Sequence, residues 1–129
     1  WVLTAMITPF KEDGAIDLDA AQRLAQLLTE NGSDGVVVFG TTGEAPALSD
    51  EEKIELLKAV KQALPRHTVM AGTGSNNTHH SRVLTQRAVE AGADAILAVV
   101  PYYNKPPQEG MYRHFEANAE SAAGGPGAM

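Results

Sequence analysis

The sequence predicts an α/β fold, a parallel sheet whose strands are joined by helical crossovers. Three observations predict it. Strand-like and helix-like segments alternate strictly along the 129 residues, and strict alternation is the pattern of parallel βα units. The strand-like segments are short apolar runs, Val36–Phe39 the cleanest, as in strands covered on both faces. Apolar residues make up 43% of the chain against 20% charged, enough to bury the core of one domain.

The elements follow in order. Val2–Thr8 reads as a strand stopped by Pro9. Asp17 stands where an N-cap belongs, with Leu18, Ala21, Leu24, Ala25 and Leu28 at helical spacing behind it and Asn31-Gly32 as the stop. Val36–Phe39 is the second strand. Ser49 and Glu52 form a capping box, followed by the stripe Ile54, Leu57, Val60 and Leu64 and ended by Pro65. His67–Ala71 is the third strand, and Thr78–Ala91 the third helix, closed by Gly92. Ala95–Val100 is the fourth strand, stopped by Pro101. Pro107 suits the first turn of a fourth helix, with Met111, Phe115 and Ala119 as its apolar stripe. The segment 121–129 is small, Gly-rich and aperiodic, and reads as a frayed tail. Trp1 opens straight into a strand with no basic leader before it, so both ends read as cut.

A weak internal echo accompanies the alternation. Asn31-Gly-Ser-Asp-Gly-Val-Val-Val-Phe39 aligns with Ala91-Gly-Ala-Asp-Ala-Ile-Leu-Ala-Val99. The shift is twice the length of one βα unit. It reads either as a barrel repeat or as turn chemistry shared by all α/β proteins.

Composition excludes several functions. Ten basic against sixteen acidic residues leave a net charge of −6, which argues against a binder of nucleic-acid backbone. No apolar run approaches a membrane span. With no cysteine there is no disulfide framework and no thiolate site, as suits a reducing compartment. His67, His79, His80 and His114 lack metal-ligand spacing, so no metal is expected. Gly40–Glu44 lacks the Gly-Lys ending of a P-loop, and Gly72–Asn77 lacks the third glycine of a dinucleotide fingerprint.

In parallel α/β folds chemistry gathers on the loops after the strands. Here these are Thr8-Pro9-Phe10, Gly40-Thr-Thr-Gly-Glu44, Gly72-Thr-Gly-Ser-Asn-Asn77 and Tyr102-Tyr-Asn-Lys105. Adjacent threonines between glycines offer hydroxyl and amide donors at one spot, a fit for a carboxylate. The plain alternative is a glycine turn with capping threonines. Two of only three tyrosines stand side by side after a strand, where a phenol can relay a proton or meet a partner chain.

Gly40-Thr-Thr-Gly-Glu44, Ala71-Gly-Thr-Gly-Ser-Asn-Asn-Thr78, Pro101-Tyr-Tyr-Asn-Lys-Pro106, Gln108-Glu-Gly110 and the opening Ala5-Met-Ile-Thr-Pro-Phe10 together resemble the dihydrodipicolinate synthase family of pyruvate-dependent aldolases. The resemblance covers roughly residues 4 to 120, with the motifs in the family's order. It implies a (β/α)₈ barrel and a lyase that condenses pyruvate with aspartate semialdehyde through a lysine Schiff base, on the way to diaminopimelate and lysine. It implies a cytoplasmic homotetramer built from tight dimers, with no cofactor. By motif, Thr41 joins the proton relay and Tyr103 completes it across the dimer interface. Thr42 holds the pyruvate carboxylate, with Thr8 also placed at the substrate. Asn76, His80 and Tyr102 match an allosteric lysine site. The related sugar-acid aldolases usually carry Ser for the first Thr and lack the Tyr-Tyr-Asn-Lys-Pro run. A half-barrel that binds small molecules without chemistry is the non-enzyme alternative.

A barrel of this type needs about 250 residues, so residues 1–120 are expected to be its N-terminal half, four βα units, with 121–129 departing from the family pattern. The Schiff-base lysine of the sixth strand and the relay tyrosine of the fifth are absent. None of Lys11, Lys53, Lys58, Lys61 or Lys105 falls in a predicted strand.

Overall fold

A computed structural model describes residues 1–123. Its elements run β1 (Leu3–Ala5), α1 (Leu18–Glu30), β2 (Gly35–Val38), a 3₁₀ turn (Ala45–Ala47), α2 (Asp50–Ala63), β3 (Thr68–Gly72), α3 (Thr78–Glu90), β4 (Ala95–Leu97) and α4 (Gln108–Ala122). The four strands form one parallel sheet in sequence order, β1-β2-β3-β4. The register aligns Ala5 with Val37, Met70 and Ala95 in one row, and Thr4 with Val36 and Val69 in the next. The second row points into the helical layer. Val36, Val38, Val69 and Ala71 are fully buried there against Ala21, Ala25, Leu57, Val60, Leu84 and Ala88. Each large side chain so buried contributes about 1.5–3 kcal/mol.

The helix signals hold at atomic detail. Asp17 accepts the Ala20 amide at 2.9 Å. Ser49 and Glu52 close the reciprocal capping box at 3.2 and 2.8 Å. Asn77 caps α3 through the His80 amide. Pro107 is the N-cap of α4, one place earlier than the first-turn position expected of it.

The echo has a local cause. At each site a glycine, Gly32 at φ +107 or Gly92 at φ +99, ends the helix in the left-handed region. The next residue's amide reaches back to a helical carbonyl, Ser33 to Leu28 and Ala93 to Ala88. The aspartate that follows then grips the neighbouring strand with both groups. Asp34 donates its amide to the Val2 carbonyl and accepts the Val2 amide on its carboxylate; Asp94 does the same with Val69. Shared αβ-turn chemistry therefore accounts for the echo.

Three expectations are corrected. The first and fourth strands are shorter than their apolar runs, because the sheet ladder ends at Ala5 and Leu97. Val99 and Val100 follow β4 as exposed, irregular chain. Helix α4 does not bury Met111, Phe115 and Ala119. Its buried face is His114, Asn118 and Ser121, while Phe115 is exposed. The partner surface is α3, where Thr78, Ser81 and Arg82 hydrogen-bond to His114, Asn118 and Ser121. Finally, Ser121 and Ala122 are not tail but the last turn of α4. Ser121 is buried and accepts from Arg82; residues 124–129 of the expected tail lie outside the described residues.

Candidate active site

The C-terminal ends of the parallel strands point the same way, so the four loops meet on one side. The second loop leaves β2 through Phe39, buried and at φ +40, and returns through Glu44 at φ +57. Non-glycine residues rarely adopt this region, and such strain persists only where the surroundings hold it. Here the turn closes on itself: the amides of Gly43 and Ala45 both donate to the Gly40 carbonyl, and Glu44 donates to Thr41. Thr8 lies beneath, 4% exposed, its hydroxyl donating to the Gly43 carbonyl at 2.7 Å. Its proton is committed to the loop, so in this structure Thr8 supports the threonine pair from below. Thr41 and Thr42 are exposed, and neither hydroxyl bonds to another described residue.

The third loop approaches its neighbours closely. A Cβ on Gly72 would stand 2.5 Å from the Phe39 carbonyl oxygen, and one on Gly74 only 2.6 Å from the Val99 amide nitrogen. Glycine at these two places lets three loops converge. The fourth loop carries Tyr102, half-exposed, and Tyr103, 94% exposed with φ +68. Neither tyrosine takes a core role. Asn104 ties this loop to the third, donating from Nδ2 to the Asn76 carbonyl at 2.8 Å.

Between the loops lies an open cleft of about 740 Å³. Phe39, Thr41, Gly72, Leu97 and Val99 line its sheet end; Asp50, Lys53, Ser75, His80 and Tyr102 line its helix end. The structure therefore brings Thr41, His80 and Tyr102 to one cavity. Thr42, Thr8 and Tyr103 lie outside its lining, and Asn76 sits beside it through Ser75.

Asp50, missing from the residues singled out by motif, organises the helix end. His80 Nε2 lies 2.7 Å from one carboxylate oxygen and Lys53 Nζ 3.5 Å from the other. Burial pushes the Asp50 carboxyl up, but the hydrogen bond and charge of His80, and then Lys53, outweigh it and hold the group below its ordinary value. The sequence signal for Asp50 was its place in the first turn of a capped helix, three residues before Lys53. Among the described residues no cluster of His, Asp and Glu has metal-binding geometry, and no helix is long and apolar enough to cross a membrane.

A model of the dihydrodipicolinate synthetase family matches residues 1–126. A 4-hydroxy-tetrahydrodipicolinate synthase 2 of Streptomyces coelicolor is 57% identical over 122 residues, which is 94% of this chain and 41% of that protein. Among solved structures, the dihydrodipicolinate synthase of Bacillus anthracis superposes with a TM-score of 0.91 at 52% identity, over 93% of this chain and 41% of that one. The enzyme from Cyanidioschyzon merolae, solved with lysine bound, gives 0.92 at 46% identity, over 97% and 43%. The chain thus spans about two fifths of the length of the relatives it matches, and its four βα units match the first units of their barrels.

Proposed function

The chain belongs to the dihydrodipicolinate synthetase family, and from that premise we propose that the whole protein condenses pyruvate with aspartate semialdehyde through a lysine Schiff base. A lysine amine supplied by another part of the barrel adds to the pyruvate carbonyl and water leaves. Loss of a methyl proton gives an enamine, whose carbon attacks the aldehyde. Such chemistry needs a clamp for the pyruvate carboxylate and a route for protons. The observation that carries the reading is the strained, self-bonded Gly40–Glu44 loop. It presents two threonine hydroxyls, free of internal partners among the described residues, above the strand ends. Thr42 then holds the carboxylate, and Thr41 begins the relay. Tyr103, almost wholly exposed, completes it in a second subunit of a homotetramer in the cytoplasm. The Tyr102-Tyr103 pair favours this reading over a sugar-acid aldolase. Full-length enzyme assayed with pyruvate and the semialdehyde, beside sialic and keto-gluconic acids, tests it. Turnover of the semialdehyde is expected; turnover of a sugar acid alone overturns it.

The same site reading assigns Asn76, His80 and Tyr102 to a lysine-binding position with weak feedback. An effector's ammonium group needs an acceptor carboxylate. The Asp50 carboxylate in this cleft already has His80 on one oxygen and Lys53 on the other. Inhibition of the full enzyme is therefore expected only at high lysine concentration, and strong inhibition at micromolar lysine in a steady-state assay would refute the weak feedback.

A further inference from the structure

We propose that His114 is a positioning residue for this reaction, holding the segment that carries Tyr102 and Tyr103 through a hydrogen bond to the Val99 carbonyl. The proposal rests on the reading of the reaction given above. The last ladder contact of β4 is the Thr73 amide on the Leu97 carbonyl, at 3.2 Å. From Ala98 to Pro107 the chain has no strand partner. The one backbone bond made within it, Asn104 to Tyr102, is internal to the loop and fixes it to nothing else. Yet Tyr103 and Lys105 both hold left-handed conformations, φ +68 and +48, which persist only when the surroundings impose them.

Two side-chain bonds tie this segment to other elements, one from its own Asn104 and one from His114. Asn104 reaches the Asn76 carbonyl, but it is exposed and competes with water. His114, on the first turns of α4, is 2% exposed. Its Nε2 lies 3.0 Å from the Val99 carbonyl oxygen, three residues before Tyr102. A carbonyl only accepts, so Nε2 carries the proton. Nδ1 then accepts from the Thr78 hydroxyl at 2.8 Å. Thr78 begins α3, so one imidazole ties the end of β4 to the start of the neighbouring helix. Asn118 locks the turn beneath it, donating from Nδ2 to the His114 carbonyl at 2.7 Å. With both ring nitrogens engaged and the residue buried, the orientation of the ring is fixed.

The test uses the full-length enzyme with His114→Phe, His114→Gln and a control, Ser121→Ala. The control loosens α4 from α3 at the end remote from the tyrosines. Phenylalanine fills the space but gives the Val99 carbonyl nothing, whereas glutamine restores a donor at similar reach. His114→Phe is expected to lower kcat about 10- to 100-fold, the range a small misplacement of a reacting group costs. KM for pyruvate should stay within about twofold, since the carboxylate clamp is untouched. Amide hydrogen exchange over residues 98–104 should rise. His114→Gln should recover most of both, and Ser121→Ala should change neither. Should His114→Phe fail to fold, His114→Asn, too short to reach Val99, takes its place with the same expectations. Wild-type kcat and exchange in these variants, or an equal loss in Ser121→Ala, overturns the proposal. If the wild type itself does not turn over the two substrates, the reaction is misassigned. Exchange then decides alone, and unchanged protection in the His114 variants overturns the positioning role.

Discussion

At the scale of single residues, two adjacent threonines are assigned different work, and kinetics separates them. A hydroxyl in a proton relay acts mainly in the transition state, whereas one on a carboxylate also holds the ground state. In the full enzyme, Thr41→Val should therefore cut kcat by about 100-fold, while Thr42→Val should raise the KM for pyruvate; wild-type constants in both would show that the roles were misplaced. Asp50 carries a second prediction. Its folded carboxyl titrates below its ordinary value, so its contribution is complete above that value and disappears as the pH falls through the lowered one. Because the His80 side chain is 42% exposed, screening keeps that contribution to about 1 kcal/mol. Denaturant titrations should find Asp50→Asn less stable than wild type at pH 7, with the gap closing below about pH 4. A gap that widens on acidification would contradict the sign. Thr41, Thr42 and the tyrosines were legible in the sequence because glycines and a strand end frame them. His114 was not, since Val99 lies 15 residues away, and of the two partners of Asp50 only Lys53 is local while His80 lies 30 residues away; no local pattern records such distances.

At the scale of elements, the strand–helix order and the N-caps of the first two helices were legible because each depends on a few adjacent residues. The buried face of α4 was not. Period alone favoured Met111, Phe115 and Ala119, but the neighbouring helix offers Thr78 and Ser81. Ser81 Oγ stands 2.6 Å from Asn118 Oδ1 and 3.0 Å from the Thr73 carbonyl. A polar partner selects a polar face, and hydropathy has no term for that choice. Strand ends were overextended for a related reason: Val99 and Val100 are apolar but have no ladder partner. The close approach of the loops that follow β3 and β4 makes a third prediction. Gly74→Ala places a methyl 2.6 Å from backbone nitrogen, which cannot rotate aside as a side chain would. The substitution should cost about 1–3 kcal/mol, read as a lower denaturation midpoint at unchanged m-value. A midpoint equal to wild type would mean that the two loops part freely.

At the scale of the whole molecule, the sheet of the described residues is covered by helices on one side only. On the other, Leu97 and Val99 are exposed and face the cleft. The clamp and the start of the relay stand at this sheet's edge, while the covalent step requires an amine among the strands. Among the described residues no lysine stands there. Lys11 and Lys105 lie in loops, and Lys58 and Lys61 on α2, where Lys61 is spent on Asp94 at 2.6 Å. Lys53 alone reaches the cleft, but from the helix end, with its ammonium beside Asp50. A Schiff base needs a free amine lone pair directed at the carbonyl carbon, and a paired ammonium offers no such lone pair. Borohydride treatment of this chain by itself with pyruvate should therefore leave its intact mass unchanged, while the full-length enzyme gains one reduced pyruvyl group. A stable adduct on Lys53 would show that the ion pair opens, and that the cleft itself, rather than a strand beyond this chain, can hold the substrate covalently.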